Sequence, residues 1–228
     1  LEAACRASSG MRLSFSFEPE MLETGGALKK AEWFLDDDPF WVVNGDIVAN
    51  VSPLPFCRAL ARTGAISALW MHPALGPRTV EVSQGFVRNF RSSTPGAEGT
   101  CTFCGLHLVR GKILDFIPPA GPSSIIDAYD RARAEGHRIA AVCPPGAFWA
   151  DIGTQAGYLD AHRSWHEQTS RSGAAPRAWV SLGRNVRRHA RARIRNSVVF
   201  SNAALGPRAR ISDAVIGAGV RVDRTFSG

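Results

Sequence analysis

Phe40-Trp41-Val42-Val43-Asn44-Gly45-Asp46 is a short apolar run that stops on a glycine and an acid. Its apolar residues are consecutive rather than alternating, which predicts a strand buried on both faces, as in a parallel sheet. Around it the chain reads as alternating strands and helices. Residues 53–63 open on Pro53 and set Phe56, Leu60 and Ala61 near one face, predicting a helix that Gly64 ends. Residues 66–71 form another apolar strand, and 79–83 with 86–90 alternate around Gln84-Gly85 as a hairpin. Ser123 or Ser124 then caps a helix carrying Ile125, Ile126 and Tyr129, stopped by Gly136. A strand at 139–143 and a helix at 154–168 follow. This alternation predicts an α/β fold with a mainly parallel sheet covered by helices on both faces.

Beyond residues 170–176, a linker by composition, the helical period disappears. Apolar residues recur near every sixth position (Val180, Val186, Ala192, Val198, Ala204), and a longer echo of 17 links Ile194/Ile211, Val198/Val215, Val199/Ile216 and Leu205/Val222. Hexapeptide repeats of this kind predict a parallel β-helix. Two domains are expected, 1–169 and 177–228.

Of the 228 residues, 27 are Lys or Arg and 20 Asp or Glu, but the excess is local. Residues 171–228 hold twelve Arg against Asp213 and Asp223, a net +10, which leaves residues 1–170 at −3. A basic tail of this kind either neutralises nucleic-acid phosphates or is a solvated surface. Its scarcity of aromatics for base stacking and its repeat favour the surface. No apolar run reaches 18 residues, which excludes a membrane-spanning helix of that length. Five cysteines, an odd number, speak for a reducing compartment over a disulfide framework. Cys101 and Cys104 form a lone C-x-x-C on a strand-like stretch, expected on opposite faces and in the core.

Three stretches can carry chemistry. Gly25-Gly26, after Phe17-Glu-Pro-Glu-Met-Leu-Glu-Thr24, precedes a helix predicted over 27–35, so its backbone can approach a ligand; a plain turn accounts for it equally well. Asp46 lies just past the strand at 40–44, where open α/β sheets bind ligands, and suits Mg²⁺; a surface-turn acid is the alternative. Asp151, in Phe148-Trp-Ala-Asp-Ile-Gly-Thr154, either caps the following helix or joins Asp46 on one ion. His162 and His166, one helical turn apart without a zinc-protease Glu, read as a solvated helix face.

In order, E-P-E-x-L-E-T-G-G-A-L, V-N-G-D, T-F-C-G-L-H and W-A-D-I-G-T with Y-L-D-A-H resemble the sugar-1-phosphate nucleotidyltransferases. The repeat tail resembles the left-handed β-helix appended to some members, such as mannose-1-phosphate guanylyltransferases. The resemblance implies a Rossmann-like, glycosyltransferase-A-like domain that couples a nucleoside triphosphate to a sugar 1-phosphate in the cytoplasm, releasing pyrophosphate. It implies Mg²⁺ on Asp46 and Asp151, a nucleotide side lined by Glu18, Thr24, Gly25 and Gly26, Asn44 and Gly45 in the same binding set, and Gly105 on the sugar side. Glu23, where many guanylyl and thymidylyl members carry Gly, is closer to muramate- and heptose-phosphate relatives. The family's G-x-G-x-R phosphate loop has no full match in residues 1–17, where Arg12 lacks the loop's pair of glycines. The expectation is an amino-terminally truncated enzyme of impaired activity, self-associating through the β-helix and binding neither specific nucleic acid nor membrane. A non-catalytic regulatory or assembly subunit on the same fold is the alternative; a hexapeptide acyltransferase ranks below it.

Overall fold

The computed structural model describes residues 13–35, 39–169 and 178–227. Most of residues 1–17, the stretch without a match to the phosphate loop, and the linker at 170–176 lie outside the described residues. In chain order the elements are α1 (Glu23–Lys30), β1 (Phe40–Val43), β2 (Ile47–Asn50), α2 (Leu54–Thr63), β3 (Ser67–His72), β4 (Val80–Ser83), β5 (Phe86–Asn89), β6 (Thr100–Val109), α3 (Ile125–Ala134), β7 (Ile139–Val142), β8 (Phe148–Asp151) and α4 (Gln155–Thr169). Two compact units emerge from the contacts. One takes the described residues up to Asn44 with Val51–Gly146; the other takes Gly45–Asn50 and the described residues from Ala147 onward. Residues 45–50 and 147–169 thus group with the repeat tail.

The first unit is built on a six-stranded sheet in the order β1-β6-β3-β7-β5-β4, with β4 also pairing the start of β6. The α/β class holds, but the mainly parallel sheet does not. Among the described strands of this sheet only β3 and β7 run parallel. The ten-residue β6 runs antiparallel between β1 and β3, and the β4–β5 hairpin adds further antiparallel pairs. β1 is correspondingly not a buried parallel strand: it lies at the end of the strand order and alternates half-buried with exposed, as a one-sided antiparallel strand does.

Local chemistry sets these elements. Gln84 and Gly85 both take positive φ (53° and 76°), the geometry that matches the twist of a two-residue hairpin. α3 is capped by Ser124, whose Oγ accepts from the Ile126 N–H at 3.2 Å, and buries Ile125, Ala128, Tyr129 and Ala132, one stripe at helical spacing. α1 begins at Glu23, not Ala27, and ends at Lys30, with a 3₁₀ turn at Glu32–Phe34. Its two glycines explain the earlier start. A Cβ on Gly25 would lie 2.6 Å from the Ser123 carbonyl oxygen, and one on Gly26 equally close to that of Gly121. The helix therefore rests directly on the backbone that leads into α3, and the Gly26 N–H donates to the Ser123 carbonyl at 3.0 Å. Gly25→Ala is expected to destabilise this unit by about 1–3 kcal/mol, measured by urea denaturation, because the clash is with backbone that no rotamer can relieve.

Besides β2 and β8, the described residues of the second unit carry nine short strands: β9 (Val180–Leu182), β10 (Arg187–Arg188), β11 (Arg193–Arg195), β12 (Ser197–Val199), β13 (Ala204–Leu205), β14 (Arg210–Ser212), β15 (Val215–Ile216), β16 (Arg221–Val222) and β17 (Thr225–Ser227). They form three parallel three-stranded sheets, β10-β13-β16, β11-β14-β17 and β15-β12-β9. All four pairs of the 17-residue echo are register partners. Ala192, Val199, Ala203, Leu205, Ala209, Ile211, Ala214, Ile216 and Val222 make the interior. The corners are stacked too: Asn185 and Asn202, and Asn196 and Asp213, occupy the left-handed region at the same 17-residue spacing. Asn196 Nδ2 donates to Asp213 Oδ1 at 3.0 Å. Short polar side chains tolerate this conformation, which other side chains resist.

His162 and His166 are not a solvated face. Both are half-buried, with His162 Nδ1 and His166 Nε2 lying 2.9 Å and 3.0 Å from Ser181 Oγ, and both rings stack on buried Trp179. They fasten α4 to the first strand of the coil.

Candidate active site

β2 and β8 form an antiparallel ribbon in which Ile47 is the partner of Asp151. Asp46 immediately precedes β2, Asp151 ends β8, and the two therefore share one end of the ribbon. The Ile152 N–H donates to the Asp46 carbonyl at 2.8 Å, locking that end. Both carboxylates converge on Gly153: a Cβ there would lie 3.0 Å from Asp46 Oδ2 and 3.3 Å from Asp151 Oδ1. The Gly153 N–H donates to Asp151 Oδ1 at 2.9 Å and fixes that side chain. Asp151 is thus engaged in a local turn and does not cap α4. Thr154 caps it, its Oγ accepting from the Gly157 N–H at 3.0 Å.

Gly157 sets how closely α4 can approach. A Cβ there would lie 2.5 Å from the Asp151 carbonyl oxygen, a backbone atom. Ala is normally worth about 1 kcal/mol over Gly inside a helix. Gly157→Ala is expected to do the opposite here, lowering stability by about 1–3 kcal/mol and displacing Asp151. Thermal unfolding and a transfer assay on one preparation check both effects.

The donor set fits Mg²⁺. Asp46 and Asp151 are solvent-exposed carboxylates, and among the described residues no group of three or more His, Cys, Asp and Glu can hold a metal. Two oxygen ligands that leave the remaining positions to water and phosphate suit Mg²⁺, which dehydrates reluctantly. A cleft of about 400 Å³ adjoins the pair, sharing Gly153 and lined also by Thr154, Gln155, Tyr158 and Phe200.

The other residues singled out in the sequence form two further groups. Asn44 and Gly105 meet: the Asn44 N–H donates to the Gly105 carbonyl at 2.8 Å, and Gly105 has φ +72° with the Asn44 amide 2.8 Å from where its Cβ would be. Gly105 sits where β6 slips register against β3, a bulge that a left-handed glycine permits. Gly25 and Gly26 are buried against 121–125, as described above. In the same region Glu18 Oε2 accepts from the Leu22 N–H at 3.2 Å, at the entrance to α1, and Thr24 is half-buried in its first turn. Gly45 is exposed, with open space where a Cβ would project. Gly153, inside W-A-D-I-G-T, and Gly157 carry no role in the sequence reading, although their spacing of two and six from Asp151 is visible there. Cys101 and Cys104 are both buried, and burial raises both thiols above their ordinary range, which keeps them protonated. No helix among the described residues is long and apolar enough to cross a membrane.

No family-level sequence profile matches the chain. A mannose-1-phosphate guanyltransferase of Gibberella zeae is 28% identical over 169 residues, which cover 66% of this chain and 43% of that protein. The chain therefore spans less than half the length of this curated relative. Among solved structures, HddC from Yersinia pseudotuberculosis, complexed with GMP-PN, superposes with a TM-score of 0.57 at 19% identity, covering 72% of each chain. UDP-glucose pyrophosphorylase from Acinetobacter baumannii superposes with a TM-score of 0.52 at 16% identity, covering 68% of this chain and 60% of that one. At these identities the structural likeness is one of fold.

Proposed function

We infer that this chain, which resembles the sugar-1-phosphate nucleotidyltransferases in sequence and in fold, transfers a nucleotidyl group from a nucleoside triphosphate to a sugar 1-phosphate, releasing pyrophosphate. The observation that carries the reading is the convergence of Asp46 and Asp151 on Gly153. A phosphoryl oxygen of the sugar phosphate attacks the α-phosphorus in line, and the bond to the pyrophosphate leaving group breaks. Such a step depends on positioning and charge stabilisation, not on a protein nucleophile. Asp46 and Asp151 would hold Mg²⁺, which when bound neutralises developing charge on the phosphates. The Gly153 N–H holds Asp151 in place for this, and the close seat of α4 on Gly157 keeps its carbonyl from shifting.

The coil, read as a left-handed hexapeptide β-helix, serves self-association in this proposal, and cytoplasmic conditions supply the triphosphate. The paired carboxylates support an enzyme over a non-catalytic subunit, which has no use for them. Base and sugar follow from trial: the chain is incubated with Mg²⁺, each nucleoside triphosphate and a panel of sugar 1-phosphates, with pyrophosphate and nucleotide-sugar followed together. Stoichiometric appearance of both with one pair is expected. Folded protein that yields neither product with any pair, in either reaction direction, would overturn the reading.

A further inference from the structure

We propose that the arginine-lined cleft of the coil is a second ligand site, for a compact phosphoanhydride such as pyrophosphate or the triphosphate chain of a nucleotide. It shares no lining residue with the carboxylate pair.

The cleft measures about 470 Å³ and is lined by Arg188, Arg193, Arg195 and Arg210, with Ser212 and Thr225 beside them. Parallel register puts Arg193 directly beside Arg210 and Arg195 beside Ser212. Strands so paired are about 4.8 Å apart, and like charges facing each other across that gap oppose folding. No carboxylate among the described residues of the coil relieves them. Of its two acids, Asp223 pairs with Arg208, and Asp213 accepts from Asn196. Among the described residues none of the four lining guanidinium groups meets a carboxylate.

Two of the four are held in place. Arg188 Nη2 donates to the Ala192 carbonyl at 3.2 Å, and Arg210 Nη1 donates to the Arg191 carbonyl at 2.9 Å and the Ala209 carbonyl at 3.0 Å. Consecutive carbonyls of one turn thus anchor two guanidinium groups while most of their N–H donors stay free. A planar guanidinium fork matches phosphate oxygens bidentately, and anchoring lowers the entropy lost on binding. Hydroxyls of Ser212 and Thr225 add neutral donors at the rim. The volume suits a small ligand. No aromatic side chain lines the cleft, so a nucleic-acid strand finds no stacking platform.

Calorimetric titration in EDTA, which leaves the carboxylate pair unloaded, tests this with inorganic tripolyphosphate, pyrophosphate and a nucleoside triphosphate. Saturable binding is expected, weakened roughly tenfold or more in Arg193→Gln/Arg210→Gln and only partly in Arg193→Lys/Arg210→Lys. Asp46→Asn/Asp151→Asn should bind as the parent does, so this test stands or falls apart from the transfer reaction. Pyrophosphate binding more tightly than nucleotide supports a product ligand at the site; the reverse order supports a nucleotide there. The glutamine variant should unfold at the parent's urea midpoint or above it, since a repulsion is removed. Undiminished binding in that variant, or tighter binding of a duplex of about 20 base pairs than of tripolyphosphate, overturns the proposal.

Discussion

Asp46→Asn and Asp151→Asn are each expected to lower nucleotidyl transfer roughly 100- to 1,000-fold, the cost of removing one preorganised electrostatic contributor to a charged transition state. The two carboxylates meet at Gly153 and would serve a single ion. The double variant should therefore be little worse than the poorer single one, the signature of residues that act as a unit. Stability should change by about 0.5 kcal/mol or less, because both side chains are exposed. A second readout needs no turnover. Mn²⁺ titrated into the parent and followed by electron paramagnetic resonance should show a bound population that either substitution removes. Full activity in both single variants would separate the pair from the chemistry.

The sequence carried this pair further than it carried the sheet. Asp46 and Asp151 stand out because each follows an apolar run at the boundary of an element, a local signal. Their meeting is not local. It depends on Ile47 pairing with Asp151 across a ribbon that joins segments about a hundred residues apart, and periodicity within either segment is silent about its partner. The sheet misled for the same reason. Phe40–Val43 is apolar throughout, yet Trp41 and Val43 are exposed and Trp41 packs edge-on against Phe56 at 5.5 Å. A continuous apolar run specifies burial or aromatic contact equally well, and strand direction not at all. The coil was read more completely because its long-range pairing is written in the sequence as repetition. Residues 17 apart became register partners, so the core of one turn foretold the next. The helix face of His162 and His166 went astray because Trp179, the ring beneath both, lies across the linker.

Acid is expected to destabilise the first unit through one residue, His107. It is fully buried on β6, where burial pushes its pKa down to about 3. Its surroundings assign its proton. Ser67 Oγ donates to the Leu108 carbonyl at 3.1 Å, so it can take part in its 3.2 Å contact with Tyr129 only as acceptor. The Tyr129 hydroxyl therefore donates to Ser67 and accepts from His107 Nδ1–H, at 2.5 Å. All three contacts are satisfied by one hydrogen each, and the lone pair on Nε2 is left without a partner among the described residues. Protonation would put a charge on that nitrogen, away from water and from any carboxylate acceptor.

In the unfolded chain His107 titrates near 6.5, and in the fold its pKa is depressed. Its contribution is therefore complete above about pH 6.5 and is lost as pH falls toward 3, by up to about 1.4 kcal/mol per pH unit and on the order of 5 kcal/mol in all. Carboxylates elsewhere also titrate in this range, so the parent curve alone does not isolate the histidine. His107→Gln keeps a polar side chain without the charge. Urea denaturation at pH 7 and pH 4.5 should show the variant less stable at neutral pH, because the Tyr129 contact is imperfectly replaced. Between the two pH values the parent should lose roughly 2–3 kcal/mol more than the variant does. Tyr129→Phe supplies the converse: it leaves His107 buried and titratable, lowers stability by about 1–3 kcal/mol at pH 7, and should retain the steep acid dependence. Equal acid losses in the parent and His107→Gln would place the sensitivity elsewhere.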